Sequence, residues 1–323
     1  MKVLHVHDVA SVAYQLVYGL RKAGIQADLL DYKKLGVTDV KEDPKNIKPI
    51  MCNKFTSLFK YPLNLNNYDI VHVHYPLTFL AIATLMRRNK KTILHAHGTD
   101  LRSTKTNRHY RLIVKWACSR SDLLFYSTPD LKILADKFHS NSNFLPNPID
   151  TDFFRPIKSH EYENRVLIFS SLNKFKRMEI SLGACKLLDN IKFDVVFFGP
   201  HREYYREKYK QDNVSFIPPV DHSQIPSLLA KYPLVIGQFS GILSLTELES
   251  MACGKPVITY WKFDRAYPQP APVLSAQTPA DIARLVKEHF GDKQIGKKAR
   301  EWVKQNHGTT EVTKKLISIY ESL

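Results

Sequence analysis

The sequence predicts an α/β protein built from two doubly wound, Rossmann-like domains that face each other across a cleft. Three observations carry that expectation. Short apolar runs alternate with stretches of helical period through the first half of the chain, and alternation of this kind makes parallel sheets. The alternation stops at 145–156, where three prolines in twelve residues leave no helical period and mark a linker or hinge. It then restarts, and 323 residues suffice for two domains of ordinary size.

In order along the chain, 2–7 reads as a buried strand. Residues 11–23 follow with Val12, Leu16, Val17 and Leu20 at helical spacing, Ser11 as a plausible N-cap and Gly24 as the stop. Residues 27–31 form a second strand and 68–74 a third, stopped by Tyr75-Pro76. A helix over 77–88 ends in basic residues, which suits the negative end of its dipole. Strands at 91–95 and 123–127 alternate with helices at 110–120 and 130–138, and 143–146 is a last short strand. In the second half the strands are 165–170, 193–198, 214–217, 234–237 and 257–260. Helices are expected at 178–188, 223–231 (Ser223 as cap, Pro226 in the first turn), from 246, and at 278–289, 297–307 and 311–323. No repeat of 20–50 residues is present. In such sheets ligands bind at the carboxyl ends of the strands.

Bulk properties narrow the classes. The 44% hydrophobic content, with 12 Gly and 18 Pro, excludes a disordered or fibrous chain. The net charge is +16, and residues 1–155 carry most of it, with 23 Lys+Arg against 13 Asp+Glu. Such a surface suits a phosphorylated substrate, anionic lipid or nucleic acid, or simple solubility. No nucleic-acid recognition motif is present, so nucleic acid is not expected as a partner. Cys52, Cys118, Cys185 and Cys253 form no CxxC pair and no zinc spacing. Reduced, buried thiols in a cytosolic protein are the default. The N-terminus is too polar for a signal peptide, and no apolar run approaches the ~18–20 residues that span a bilayer. The expected location is therefore cytoplasmic, either soluble or peripheral on the cytoplasmic membrane face.

Several strand ends carry chemistry. There is no GxGxxG loop after the first strand, which argues against a hydride-transfer fold. His72 and His74 alternate onto one face of their strand, but no third ligand stands at obvious spacing, so no metal is expected. The fourth strand ends in His95-Ala-His97-Gly98-Thr99-Asp100-Leu101-Arg102. An imidazole, a carboxylate and a guanidinium sit there beside a glycine that lets a ligand approach the backbone. The bland alternative is a turn capped by Asp100 with His97 packed inside. Ser170-Ser-Leu-Asn-Lys-Phe-Lys-Arg177 places Lys174, Lys176 and Arg177 before a helix, which suits a phosphate. Its alternative is a solvated basic turn. Ser240-Gly-Ile-Leu-Ser-Leu-Thr-Glu-Leu-Glu249 opens another helix. Ser244 and Glu247 have capping-box spacing, which leaves Glu249 freer to accept ribose hydroxyls. Backbone N–H groups from Leu243 through Ser244 to Leu245 are a candidate diphosphate cradle. Residues 41–66 mix Lys54 and Lys60 with Phe55, Phe59 and Tyr61, a composition suited to an anionic membrane surface.

Taken together, these segments resemble the retaining glycosyltransferases of family 4, with the GT-B architecture, over essentially the whole chain. The most specific match is Leu248-Glu-Ser-Met-Ala-Cys-Gly-Lys-Pro-Val257. Asp69-Ile-Val-His-Val-His74, His97-Gly-Thr-Asp100, Pro146-Asn-Pro-Ile-Asp150 and the Tyr320-Glu-Ser-Leu end support it. The resemblance implies transfer of a hexose from a nucleotide-diphospho-sugar to an acceptor hydroxyl, with retention and without a metal or other cofactor. It implies an acceptor-side domain over 1–150, a donor domain over 151–300 and a final segment, 301–323, that packs back on the first domain. Carried over by position, Glu249 matches the ribose carboxylate, Lys176 the diphosphate cation and His97 the imidazole near the transferred sugar. Gly199 matches the pocket glycine, and Pro218 to Val220 the base-binding strand end. Ser11, Asp100 and Arg102 fall on the acceptor and sugar side.

Two positions depart from the family pattern. Gly241 stands where an acid contacts the transferred sugar, and Ser170-Ser171 replaces the Gly-Arg before the diphosphate lysine. Lys174 or Arg177 can stand in for that arginine, and Glu247 for part of the acid's work. The leading reading is a transferase acting on a lipid-linked or surface glycan. The alternative is a non-catalytic nucleotide-binding homologue serving as a partner subunit. A nucleotide-sugar epimerase of the same architecture is a further reading.

Overall fold

The computed structural model describes residues 1–32, 47, 50–52, 64–87, 91–158 and 164–323. These form two compact units. One is Met1–Pro148 with Thr309–Leu323, and the other is Ile149–Gly308. The boundary falls inside the proline-rich stretch at 145–156.

The first unit opens with β1 (Lys2–Val6), α1 (Val12–Lys22), β2 (Gln26–Tyr32) and β3 (Ile50–Cys52). It continues with β4 (Ile70–His74), α2 (Phe79–Met86), β5 (Lys91–Ala96), the single-turn α3 (Thr99–Arg102), α4 (Arg108–Cys118), β6 (Leu123–Tyr126), α5 (Lys132–Phe138) and β7 (Ser142–Phe144). The seven strands are all parallel, in the order β3-β2-β1-β4-β5-β6-β7. Both sheet faces are covered, which is why the strands read as continuous apolar runs. Val71, Val73, Leu94 and Leu124 meet α2, α4 and α5 on one face. Val3, Ile70, Ile93 and Phe125 meet α1 on the other. The order reverses between β1 and β4, so their carboxyl ends form the crevice where such sheets hold ligands.

The second unit holds β8 (Arg165–Ile168), α6 (Met178–Ala184), β9 (Lys192–Val196), α7 (Arg202–Lys208), β10 (Val214–Ile217), α8 (Ile225–Ala230), β11 (Val235–Ile236), α9 (Leu245–Ala252), β12 (Val257–Thr259), β13 (Leu274–Ser275), α10 (Pro279–His289) and α11 (Lys293–His307). Its six strands are parallel, in the order β10-β9-β8-β11-β12-β13, so the reversal lies between β8 and β11. α6 and α10 cover one face through Leu182, Ile282 and Val286. α8, α9 and α11 cover the other through Leu229, Met251 and Trp302.

α12 (Thr309–Ser322) returns to the first unit and packs on α1, burying Val312, Leu316 and Tyr320. The returning segment begins at Thr309. Residues 301–308 finish α11 and stay with the second unit, bridged to it through Ile149 and Gly308.

Several elements differ from the sequence reading, and local chemistry explains some of them. α11 starts at Lys293 rather than 297, because the Asp292 carboxylate accepts from the N–H groups of Gln294 and Ile295. Ser223 lies inside a 3-10 turn, His222–Gln224, rather than capping α8. β3, α3, α7 and β13 were not expected. α3 and β13 are too short for a period to show. The basic and aromatic stretch of 41–66 lies largely outside the described residues. Cys118, Cys185 and Cys253 are free, buried thiols, each pushed up to about 12 by burial.

Candidate functional site

In the second unit the loops leaving β8 and β11 meet at the reversal. The Phe239 N–H donates to the Lys176 carbonyl at 3.0 Å, which fixes the two loops together. The Lys176 Nζ then lies 2.9 Å from the Ser244 Oγ at the head of α9. An ammonium group and a helix N-terminus thus share one spot, and both favour an anion. Ser171 follows β8 in the same loop. Gly199 follows β9 and lies against Ser171 and Leu172, the Leu172 N–H donating to the Phe198 carbonyl at 2.8 Å.

Glu247 is the cap that its spacing predicted. It is fully buried, accepts from the Gln238 N–H at 2.9 Å and the Ser244 N–H at 2.8 Å, and pairs with the Ser244 hydroxyl. Both oxygens are committed, so Glu247 does not supply the missing acid of the family pattern. The Ser244 N–H is committed as well, which removes it from the diphosphate cradle suggested by the sequence. The Leu243 side chain belongs to the core, and Leu245 opens α9.

Two residues further along α9, Glu249 is 5% exposed, and its Oε1 accepts from His222 Nε2 at 3.0 Å. Burial raises the Glu249 carboxyl, while the His222 bond and charge pull it back down. His222 lies two residues past Val220, which is exposed in the loop after edge strand β10, and it packs over Phe153 and Phe154. A single histidine in a polar loop gives no signal in sequence, so reading the chain alone missed it.

Gly241 has φ +91° and bridges to Trp261, and a Cβ there would come within 2.8 Å of the Lys262 side chain. The left-handed backbone disfavours an acid at this position, and the Lys262 side chain would have to move to admit one.

In the first unit the sequence-predicted residues come together differently from expectation. Asp100 is fully buried and turns inward, accepting from the N–H groups of His97 (3.0 Å), Gly98 (2.8 Å) and Leu101 (2.9 Å). Arg102 forms a two-pronged pair with Asp130 at 2.8 and 3.0 Å and also reaches the Thr128 hydroxyl. Its guanidinium fills the space over Gly98, whose φ is +131°. The gap that was to admit a ligand is therefore taken by the protein's own arginine. Ser11 makes no side-chain cap. Asp8 caps α1 instead, its Oδ1 accepting from Ala13 (3.0 Å) and Tyr14 (3.3 Å). Burial raises the Asp8 carboxyl to about 6. His7, Ala10, Ser11 and Tyr75 all have positive φ and all sit at the β1–β4 reversal. Strain concentrated in this way marks a site where backbone shape matters.

Behind that edge lies a closed circuit of seven side chains. His5 Nδ1 meets His74 Nε2 at 2.9 Å, and His74 Nδ1 meets His97 Nε2 at 2.9 Å. The Ser127 Oγ links His97 Nδ1 and His95 Nε2, each at 3.2 Å. His95 Nδ1 meets His72 Nε2 at 3.2 Å, and the Tyr320 hydroxyl links His72 Nδ1 (2.6 Å) to His5 Nε2 (3.4 Å). A neutral imidazole has one donor and one acceptor, and a hydroxyl can both donate and accept, so the circuit closes with no charge when the Ser127 proton goes to a ring nitrogen rather than to the Ala96 carbonyl, 3.0 Å away. Burial lowers His5 and His97 to about 3 and takes His72, His74 and His95 well below the ordinary value. Both ring nitrogens of His97 are thus used inside the fold.

The third and further imidazoles missing from the sequence spacing are present here. His5, His72 and His74 form one cluster, and His74, His95 and His97 a second, each with ligand atoms within 4.8 Å. In the fold these rings bond one another and two hydroxyls. His72 and His74 stack at 9° and His95 and His97 at 28°, so the in-plane lone pairs within each pair do not converge on one point. Each ring nitrogen has a hydrogen-bond partner in the circuit.

The Glycosyltransferase Family 4 model matches residues 9–153, and the Glycosyl transferases group 1 model matches residues 150–264. None of the curated proteins matches the chain by sequence. Anabaena Alr3699/HepE, in complex with UDP and glucose, has the same fold at TM-score 0.76 and 14% identity, with 100% of each chain covered. An alpha-glucosyltransferase in complex with UDP and a 13-mer DNA gives 0.75 and 14%, with 98% of each chain covered. S. aureus TarM in complex with Fondaparinux, alpha-GlcNAc-glycerol and UDP gives 0.73 and 11%, covering 99% of this chain and 100% of that one. No helix among the described residues is long and apolar enough to cross a membrane. With two glycosyltransferase matches running through 9–264 and two parallel doubly wound sheets, the chain belongs with the glycosyltransferases of the GT-B fold.

Proposed function

We propose that the protein transfers a hexose, with retention and without a metal, from a uridine diphospho-sugar to the hydroxyl of a lipid-linked or surface glycan. The observation that carries the reading is the meeting of Lys176 with the head of α9 at the β8–β11 reversal. A nucleoside diphosphate takes that place. Its ribose hydroxyls go to Glu249 and its base lies beside Val220. The bond from the anomeric carbon to the diphosphate oxygen breaks and a bond to the acceptor oxygen forms, as the acceptor hydroxyl gives its proton to the leaving diphosphate. The negative charge that develops on the leaving diphosphate is met by the Lys176 ammonium and the helix dipole, which is the largest kind of term in such reactions. Retention and independence from metal rest on the family resemblance.

The uridine assignment draws on the structural relatives, three of which were crystallised with UDP. The lipid assignment draws on α4, which exposes Tyr110, Leu112, Arg108, Arg111 and Lys115 and has no acidic residue. Such a face suits anionic headgroups, which supports the reading of a protein that works at the cytoplasmic face of a membrane. The test is transfer or donor hydrolysis by purified protein with uridine diphospho-sugars against glycan, lipid-linked and DNA acceptors. Activity that survives both Lys176→Ala and Glu249→Ala removes this site assignment. Loss of activity in both, with folding intact, supports it.

A further inference from the structure

Glu249 and His222 form a pair that neither the family matches nor the transfer chemistry explains. Glu249 is 7% exposed by side chain, while its partner His222 is 54% exposed. A buried carboxylate facing an exposed imidazole is an unusual allocation of charge, since burial disfavours the ionised acid. Other groups around Glu249 do not relieve it. Glu247, on the same helix, adds repulsion. Cys253 carries a thiol that burial keeps protonated. α11 packs against α9, and its Arg300 is committed to the carbonyls of Thr151, Phe154 and Ala252. His222 itself is steadied from below, its ring 5.3 Å from Phe154 and 6.3 Å from Phe153.

We propose that His222 is a positioning residue for the donor: its Nε2–H anchors Glu249 Oε1, so that the carboxylate is aimed to accept both hydroxyls of a ribose. The inference rests on the reading of Glu249 as the ribose ligand. A carboxylate has about four acceptor sites, so one bond to His222 leaves enough for a vicinal diol. The bond forms with either the neutral Nε2–H tautomer or the imidazolium. Without it, burial and Glu247 both drive Glu249 toward the protonated form, which presents one acceptor fewer and a donor in the wrong place. The ionised, binding-competent form is lost as pH falls through the carboxyl's pKa. Removing His222 therefore moves the acid limb of nucleotide binding to higher pH.

The experiment is calorimetric binding of uridine diphosphate and its 2′-deoxy analogue between about pH 5.5 and 8. The proteins are the wild type, His222→Ala, His222→Gln and Glu249→Gln, each checked for folding by thermal melting. The wild type is expected to favour the ribonucleotide by about tenfold or more, the worth of a hydrogen bond to a charged acceptor. Glu249→Gln abolishes that preference. His222→Ala loses about tenfold in affinity and most of the preference, with the deeper loss at the acid end. His222→Gln, which keeps an N–H donor, recovers binding at the alkaline end. If Glu249→Gln lowers affinity and preference while His222→Ala leaves both, and the pH profile, unchanged, the role of His222 is overturned and the donor site stands. If Glu249→Gln also changes nothing, the donor-site reading falls and the inference with it. Failure of the wild type to bind uridine, guanosine or adenosine diphosphate has the same consequence.

Discussion

The two reversal points of this molecule share a strand order and little else. At β8–β11 the groups are ionic: Lys176 at a helix head, Glu247 locked in a cap, Glu249 against His222. At β1–β4 the Asp8 cap and the His7–Asp31 pair stand in front of a neutral layer: five imidazoles and two hydroxyls that bond one another. The difference shows two ways of keeping polar side chains inside a sheet edge. A charged group needs a fixed counterpart, and the second unit offers Ser244 to Lys176 and His222 to Glu249. A neutral ring needs only the right number of protons, and the first unit satisfies itself. Under the proposed function a ligand at the ionic edge completes the structure, whereas the neutral circuit is complete without one.

The comparison is most severely strained by acid. His5, His72, His74 and His95 have no exposed surface, and burial holds each below the ordinary value near 6.5. Below about pH 6.5 the unfolded chain binds protons that the folded one refuses, so stability falls as pH falls and is whole above that value. Each such imidazole costs up to about 1.4 kcal/mol per pH unit in that range. Urea unfolding followed from pH 7.5 down to 5 should show a steep loss. A flat profile would mean that the circuit is not neutral.

The next largest effect is expected at the ionic edge. Lys176→Ala should lower kcat/KM for donor turnover by about 10²-fold or more, in the range seen for removing one preorganised electrostatic group. Melting temperature should hardly move. Equal losses of activity and stability would instead make Lys176 a structural pin between loops.

Tyr320→Phe removes the hydroxyl that joins His72 to His5. A buried polar atom left unpaired costs about 1–3 kcal/mol, read as a drop in the denaturation midpoint. Donor binding in the second unit should be unaffected. A change there would show that the two edges are not separable.

The smallest effect sharpens the meaning of Gly241. Gly241→Glu restores the family's acid but forces a side chain into left-handed backbone and against Lys262, a cost of about 1–2 kcal/mol. Turnover should not rise. A gain in kcat would show that the loop can remodel to use an acid.

What the sequence made legible follows from how local each interaction is. The Ser244–Glu247 cap was readable because its partners stand three apart. The parallel sheets were readable because each buried strand is a continuous apolar run. The histidine circuit was not, because His5 and His74 are 69 residues apart and His72 and Tyr320 are 248 apart. The His97-Gly98-Asp100-Arg102 cluster was read as open to ligand. Spacing says which groups are near one another, but not that Arg102 lies back over Gly98. His222 gave no signal because its partner is 27 residues away on a helix.

The distance from His72 to Tyr320 also has a consequence for synthesis. The ribosome delivers the whole first sheet early, but the tyrosine that completes its histidine layer comes only after the entire second unit. At about 5–20 residues per second, the nascent sheet waits roughly ten seconds or more with that layer uncovered. Protonation or chaperone capture during the wait would act on a half-finished face that the mature protein never shows.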